Sequence, residues 1–163
     1  MALGIGKDDE VIIPDLTFVA DANAVLACNA KPVIADINKE NFFLSISNVK
    51  KNITKKTKAI IPVHIYGQVC NIDEILDLAK DHNLKVVEDC AHAVGTFHKS
   101  KHVGTLGSTG CFSFYPTKNI TTAEGGMVTT NSKEIAEKVR QLRSHGMTKS
   151  LKSRYSVSYT HLT

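Results

Sequence analysis

The chain has 163 residues, 42% of them hydrophobic and 22% charged, which is the composition of one ordinary globular domain and not of a disordered chain. No apolar run approaches the roughly 18 residues needed to span a bilayer, and the opening MALGIGKDDE has no secretory pattern, so a soluble cytoplasmic protein is expected. The net charge of +4 includes a run of Lys50, Lys51, Lys55, Lys56 and Lys58. Without interleaved aromatic residues this run reads as a solvated helix end and loop, not as a nucleic-acid platform.

Apolar runs alternate with amphipathic stretches, the rhythm of an α/β domain with a mostly parallel sheet flanked by helices. Val11–Pro14 reads as a short strand, followed by a helix over Thr17–Cys28 that Asn29 and Pro32 end. Pro32–Asp36 is the next strand, and Ala59–Ile65 (AIIPVHI) reads as a fully buried one. The spacing of Ile72, Ile75, Leu76 and Ala79 predicts a helix over Asn71–Asp81, with Asn71 and Glu74 as a capping box. Lys85–Glu88 is a short strand running into Asp89. Gly110–Phe114 is another, with Gly126–Thr130 beside it. A last helix covers Lys133–Ser144, with Ile135, Val139 and Leu142 on one face, a Glu134–Lys138 pair, and Gly146 as its stop. After Gly146 the pattern collapses, and from about residue 156 the tail SVSYTHLT reads as a scar.

Cys28, Cys70, Cys90 and Cys111 are far apart and form no CxxC pair, which excludes a disulfide framework or zinc knuckle as the organising element. Each reads as a small buried hydrophobe.

Three segments can carry chemistry. In GCFSFYPTKNITTAEGG (Gly110–Gly126), a buried strand runs into a polar loop holding Ser113 and Lys118. Ligands of α/β sheets gather beyond the carboxyl ends of strands, and a lysine partly desolvated there is easier to deprotonate and so can attack a carbonyl. In KVVEDCAHAVG (Lys85–Gly95), Asp89 also stands at a strand end, with His92 three residues on. A carboxylate there can keep a heteroaromatic ring nitrogen protonated, and an imidazole can hydrogen-bond a phenolate oxygen. Competing readings make Asp89 a turn cap, His92 an interior histidine, or Asp89, His92 and His64 a weakly supported metal set. In PDLTFVADAN (Pro14–Asn23), Phe18 can lie flat against an aromatic ring, or belong to the core, and the helix N-terminus can favour an anion.

Taken together and in this order, DEVIIPDLTFVADANAVL, KAIIPVHIYGQ, VVEDCAHAVG and GCFSFYPTKNITTAEGGMVTTN closely resemble the DegT-type nucleotide-sugar aminotransferases, from about Leu3 to Gly146. These are pyridoxal 5'-phosphate enzymes with the fold of aspartate aminotransferase (fold type I). The resemblance implies that residues 1–146 are part of a cofactor-binding large domain. It also implies that Lys118 holds the cofactor aldehyde and later moves a proton, that Asp89 pins the ring nitrogen, and that His92 lies near the ring hydroxyl. Phe18 then stacks on the ring and Ser113 binds the phosphate. Relatives that remove a sugar hydroxyl carry histidine in place of the lysine, so Lys118 favours amino transfer.

The implied substrates are an amino acid donor, typically glutamate, and a keto group on a nucleotide-linked sugar. No metal, nucleic acid or membrane partner is implied, and the intact enzyme is expected to be a homodimer. The family's upstream Gly-Thr-x-Ala segment and its C-terminal small domain have no counterpart here. The chain therefore reads as an internal fragment, expected to bind cofactor poorly and turn over little by itself. Two other readings are a non-catalytic dimerisation module of the same scaffold and a dinucleotide-binding domain. The latter wants Gly-x-Gly-x-x-Gly after the first strand, where this chain has DLTFVADAN. His64, Tyr66 and Glu124 lie in matching strings and have structural and substrate-contact readings of equal weight.

Overall fold

The computed structural model describes residues 1–144 and 146. In chain order the elements are β1 (Glu10–Pro14), α1 (Ala20–Leu26), β2 (Lys31–Ala35), α2 (Ile46–Asn52), β3 (Thr57–Ile60), a single 3-10 turn at Ile65–Gly67 and α3 (Ile72–Asp81). They continue with β4 (Lys85–Asp89), β5 (Phe97–His98), β6 (Lys101–His102), β7 (Thr109–Ser113), β8 (Gly126–Thr129) and α4 (Lys133–Leu142). Six strands form one sheet in the order β2-β1-β3-β4-β7-β8, parallel except for β8, which pairs antiparallel to β7. β5 and β6 make a separate small hairpin.

Alternation along the strands explains why the sheet is covered on both faces. Ile12, Ile60 and Val86 pack with Val49 of α2 and with Ile72, Ile75, Leu78 and Ala79 of α3. Their neighbours Val11, Ile13, Ala59 and Ile61 face the other way, onto Val25 and Ala22 of α1, with Val87 at the margin. Parallel strands buried on both faces read as continuous apolar runs, which is why VIIP and AIIP carried a strand signal without alternation. β2 lies at an edge, where Pro32, with no N–H to give, is tolerated. Each large aliphatic side chain fully buried this way stabilises the fold by about 1.5–3 kcal/mol.

Several sequence expectations are corrected in detail. The first helix is Ala20–Leu26, shorter than Thr17–Cys28, because Thr17–Val19 form the turn that leads into it. The capping box of α3 is not formed: the Asn71 side chain makes no cap bond, and its carbonyl accepts from Ile75 N–H instead (3.1 Å). Leu78 is buried where Leu76 was expected to be, with Leu76 only partly covered. The regular part of the third strand ends at Ile60, and Val63 continues toward Asp89 as a lone parallel bridge. The β5–β6 hairpin was not anticipated, and of α2 only its solvated end at Lys50 and Lys51 was. α2 is a seven-residue helix with one fully buried side chain, and the hairpin turns through Lys99 and Ser100 at positive φ without a glycine or asparagine to announce it.

Other expectations hold. All five lysines of the basic run are exposed. α4 carries the expected Glu134–Lys138 pair (2.7 Å), and its N-terminus is in addition capped by Ser132 Oγ accepting from Ile135 N–H (3.3 Å). Gly146, at φ 73°, sends its N–H back to the Gln141 carbonyl (2.8 Å). None of the α4 side chains is buried among the described residues, and Leu142 is 51% exposed. The tail beyond Gly146, including the stretch from about residue 156, lies outside the described residues.

Candidate active site

β4 and β7 are adjacent and parallel, with Asp89 opposite Cys111 in the register and Ser113 two residues further along β7. Their carboxyl ends therefore lie side by side, and the chemistry-bearing residues of two separate segments meet there. Asp89 is half-buried. Its Oδ1 accepts from Ala91 N–H (2.8 Å), fixing the carboxylate against the start of the following turn, while Oδ2 has no protein donor among the described residues. The turn-cap reading of Asp89 is thus correct for one oxygen and leaves the other available.

Beyond β7 the chain makes a loop closed at its base. Phe114 N–H donates to the Gly125 carbonyl (2.9 Å), and the Phe114 carbonyl accepts from Thr122 N–H and Thr121 Oγ1 (3.0 Å each). Inside it, Lys118 N–H donates to the Tyr115 carbonyl (2.9 Å), a turn for which Pro116 at the second position presets the backbone. Ser113 Oγ accepts from Tyr115 N–H (3.4 Å). From Tyr115 to Val128 every residue is exposed except Lys118, which is half-buried. Lys118 is thus the one residue of this stretch partly screened from solvent.

A second carboxyl joins the site from α1. Asp21, half-buried in the first helical turn, accepts from Thr17 Oγ1 (2.6 Å). Burial first, and the negative charge of Asp89 second, push its pKa up to about 6. The Cys111 thiol is likewise pushed up to about 11, by burial and then by Asp89 and Asp21, so it stays protonated at neutral pH. Two carboxyls facing a thiol at one strand end, with no cation from the protein itself among these groups, favour a protonated or positively charged group. This corrects the expectation that the N-terminus of the first helix favours an anion, because its own Asp21 already stands there.

Phe18 is 72% exposed in the turn before α1, where its carbonyl accepts from Asp21 N–H (3.2 Å), so it does not belong to the core. His92 is half-buried in the loop after β4. Its ring stacks on Tyr66 (centroids 5.8 Å apart, planes within 10°), and Nδ1 accepts from Tyr66 N–H (3.4 Å). His92 is therefore not an interior histidine.

His64 and Glu88 have a different place. Both side chains are fully buried, with His64 Nε2 3.1 Å from Glu88 Oε2, and His64 Nδ1 accepts from Cys70 N–H (3.3 Å). Glu88 also accepts from the N–H groups of Gly104 (2.7 Å), Leu106 (2.9 Å) and Gly107 (2.7 Å). Burial alone would raise its pKa, but the bonds from His64, Gly107 and Gly104 outweigh that and hold the carboxyl below its ordinary value. Glu88 thus anchors the 104–107 loop from beneath the site.

The proposed metal set of Asp89, His92 and His64 is not assembled. Among the described residues the ligating atoms that converge are those of His64, Glu88 and Cys90. There the imidazole and carboxylate are already engaged with protein groups, and burial and Glu88 push the Cys90 thiol up. Glu124 is exposed in the loop, and only its carbonyl has a partner, Thr122 Oγ1 (2.8 Å). Asp21 and Glu88 were missed in the sequence. The signals were there: a threonine four residues before Asp21, and a charged residue inside the otherwise apolar strand preceding Asp89.

Taken as a donor set, the strand ends present a carboxylate with one oxygen available, an imidazole, a hydroxyl, a primary amine and an exposed aromatic face. These types match pyridoxal 5'-phosphate, which brings a ring nitrogen, a phenolate, a phosphate, an aldehyde and a flat ring.

Comparison with known proteins agrees. The family model described as the DegT/DnrJ/EryC1/StrS aminotransferase family matches residues 1–161. A GDP-perosamine synthase of Caulobacter vibrioides is 50% identical over 147 residues, covering 90% of this chain and 40% of that protein. Among solved structures, an aminotransferase from Psychrobacter cryohalolentis superposes with a TM-score of 0.88 at 40% identity, covering 91% of this chain and 38% of the other. DesV of S. venezuelae, solved in complex with a ketimine intermediate, gives 0.86 at 39% identity, with 99% and 42% covered. This chain spans about 40% of the length of the curated relatives it matches. At this level of match in sequence and in fold, the chain belongs to the DegT/DnrJ/EryC1/StrS aminotransferase family.

Proposed function

We propose that residues 1–146 form part of the large, cofactor-binding domain of an enzyme that moves an amino group from an amino acid donor, glutamate by preference, to a keto group of a nucleotide-linked sugar. The observation that carries this reading is the half-buried Lys118, in a loop otherwise exposed, beyond the strand paired with the one that ends in Asp89. The sugar-nucleotide substrate is supported by the relative named GDP-perosamine synthase. The cytoplasm is the proposed location, and a homodimer the proposed assembly of the whole enzyme.

Bound here, pyridoxal 5'-phosphate would supply an electron sink for the bonding pair released at the donor carbon. The protein's part is to bind, orient and move protons. Asp89, through its available oxygen, would hold the ring-nitrogen proton, and the repulsion between Asp21 and Asp89 makes that proton more welcome. His92 would donate to the ring hydroxyl and Ser113 to the phosphate, while the exposed face of Phe18 covers the ring. Lys118 would hold the group through its amine, at the aldehyde, and would serve as the base and acid that moves a proton at the donor carbon.

The test is reductive trapping. The protein is incubated with a large excess of pyridoxal 5'-phosphate, which offsets the weak binding expected of a fragment, reduced with borohydride, and mapped by peptide mass spectrometry. The expected adduct is on Lys118, and Lys118→Met abolishes it. Label spread over the exposed surface lysines, unchanged by that substitution, overturns the reading.

A further inference from the structure

Tyr66 combines three features that its neighbours do not share. It is 77% exposed, its backbone is left-handed (φ 53°, ψ 25°), and its ring lies parallel to His92. A bulky non-glycine residue in that region is uncommon, and such conformations persist where the surroundings over-determine them. Here they do. His64 N–H donates to the Asp89 carbonyl (3.0 Å), Thr96 Oγ1 donates to the Gly67 carbonyl (3.0 Å), and Tyr66 N–H donates to His92 Nδ1 (3.4 Å). The turn after β3 is thereby tied at one point to the end of β4 and at two to the loop after it, with Gly67 (φ 80°) so close beneath that loop that an added Cβ would stand 3.3 Å from the His92 carbonyl.

We infer that Tyr66 is the positioning residue for His92: its backbone N–H selects the His92 tautomer and its ring fixes the imidazole plane. A nitrogen that accepts a hydrogen bond carries no proton, so neutral His92 has its proton on Nε2. Among the described residues Nε2 has no other partner, which leaves it as a donor. The left-handed turn is what aims the Tyr66 N–H at the imidazole, and the stacked ring stops the imidazole from rotating away. The inference rests on the proposed function for its purpose, since a fixed Nε2–H donor serves a ring hydroxyl. The tautomer itself is a property of the chain alone.

The experiment is long-range 1H–15N correlation of the histidine side chains in the 15N-labelled cofactor-free protein, above the pH at which imidazoles are charged. His92 is assigned by its loss in His92→Gln. The expected result is a single Nε2–H form, with Nδ1 at an acceptor shift, retained in Tyr66→Phe. In Tyr66→Gly, which keeps the N–H and accepts the positive φ but lacks the ring, the two nitrogen shifts move toward a common average. An Nδ1–H form in the unsubstituted protein, or a Tyr66→Gly spectrum identical to it, overturns the inference. Borohydride trapping with pyridoxal 5'-phosphate on the same preparations separates the failures. Adduct on Lys118 with an unlocked His92 sinks the role of Tyr66 alone, whereas no adduct on Lys118 sinks the functional reading and, with it, the purpose assigned here.

Discussion

Cys70 N–H donates to His64 Nδ1, so the proton of neutral His64 is on Nε2 and points at Glu88 Oε2, 3.1 Å away, with both side chains excluded from water. The same carboxylate gathers the N–H groups of Gly104, Leu106 and Gly107. Two segments far apart in sequence, the turn at His64 and the 104–107 loop, therefore share one buried acceptor on the residue next to Asp89. Glu88→Gln places an amide N–H against backbone donors and removes the charge. We expect a loss of about 3 kcal/mol, read by urea unfolding. A change under about 0.5 kcal/mol, the range of an ordinary surface substitution, is incompatible with the role assigned.

Acid should reveal the same group. The folded-state pKa of Glu88 is held below its ordinary value of 4.5, so its contribution is present above that value and lost as the pH falls through the lower folded one. Chemical denaturation from pH 6 down to 3 should show declining stability, and Glu88→Gln should flatten the decline.

Asp21 works in the opposite direction. Its pKa is raised from 3.8 to about 6 in the folded state, so folding favours the proton. That contribution is present at low pH and is lost as the pH rises from about 4 to 6. Asp21→Asn keeps an oxygen for Thr17 and cannot ionise. In the cofactor-free protein it should raise stability above pH 6 by about 1–3 kcal/mol, because each tenfold change in proton affinity between the folded and unfolded chain is worth about 1.4 kcal/mol, and change little at pH 4. Parallel pH–stability curves for the two proteins would refute this electrostatic account of the strand end.

Gly110 and Gly104 meet back to back. A Cβ on Gly110 would stand 2.2 Å from the Gly104 Cα, and the facing atoms are backbone, which cannot swing aside. Gly110→Ala should cost about 1–3 kcal/mol or more and, by shifting β7 against the 104–107 loop, should lower the yield of the Lys118 adduct. A fully stable variant would mean that the two segments part more easily than their packing implies.

Lys118→Met should separate stability from chemistry. Lys118 is half-buried and its described contact is through its backbone N–H, so the melting temperature should hardly move while cofactor trapping disappears. Differential scanning calorimetry beside the mapping experiment checks both halves.

Local chemistry made much of this chain legible. The apolar runs VIIP, AIIP and VVE read as short strands, AIIP as a fully buried one, in the rhythm of a mostly parallel sheet. Gly146 marks the end of α4 by capping chemistry that depends on a few neighbouring residues, and the strings around Phe18, Asp89, Ser113 and Lys118 were readable as a group. What stayed hidden depends on contacts between segments distant in sequence. Whether Glu88 is a solvated acid or a buried anchor is decided by three N–H groups some 16 to 19 residues away and an imidazole 24 residues away. Asp21 acquires its raised pKa only once the chain has folded, from burial first and from the charge of Asp89, 68 residues away in sequence, second. His64 and Tyr66, two residues apart in one short string, are sent to opposite fates by a single left-handed turn, one into the core and one onto His92. Residue type and spacing state which groups are available, but burial and charge act through space, so their strength is set only once the chain has folded.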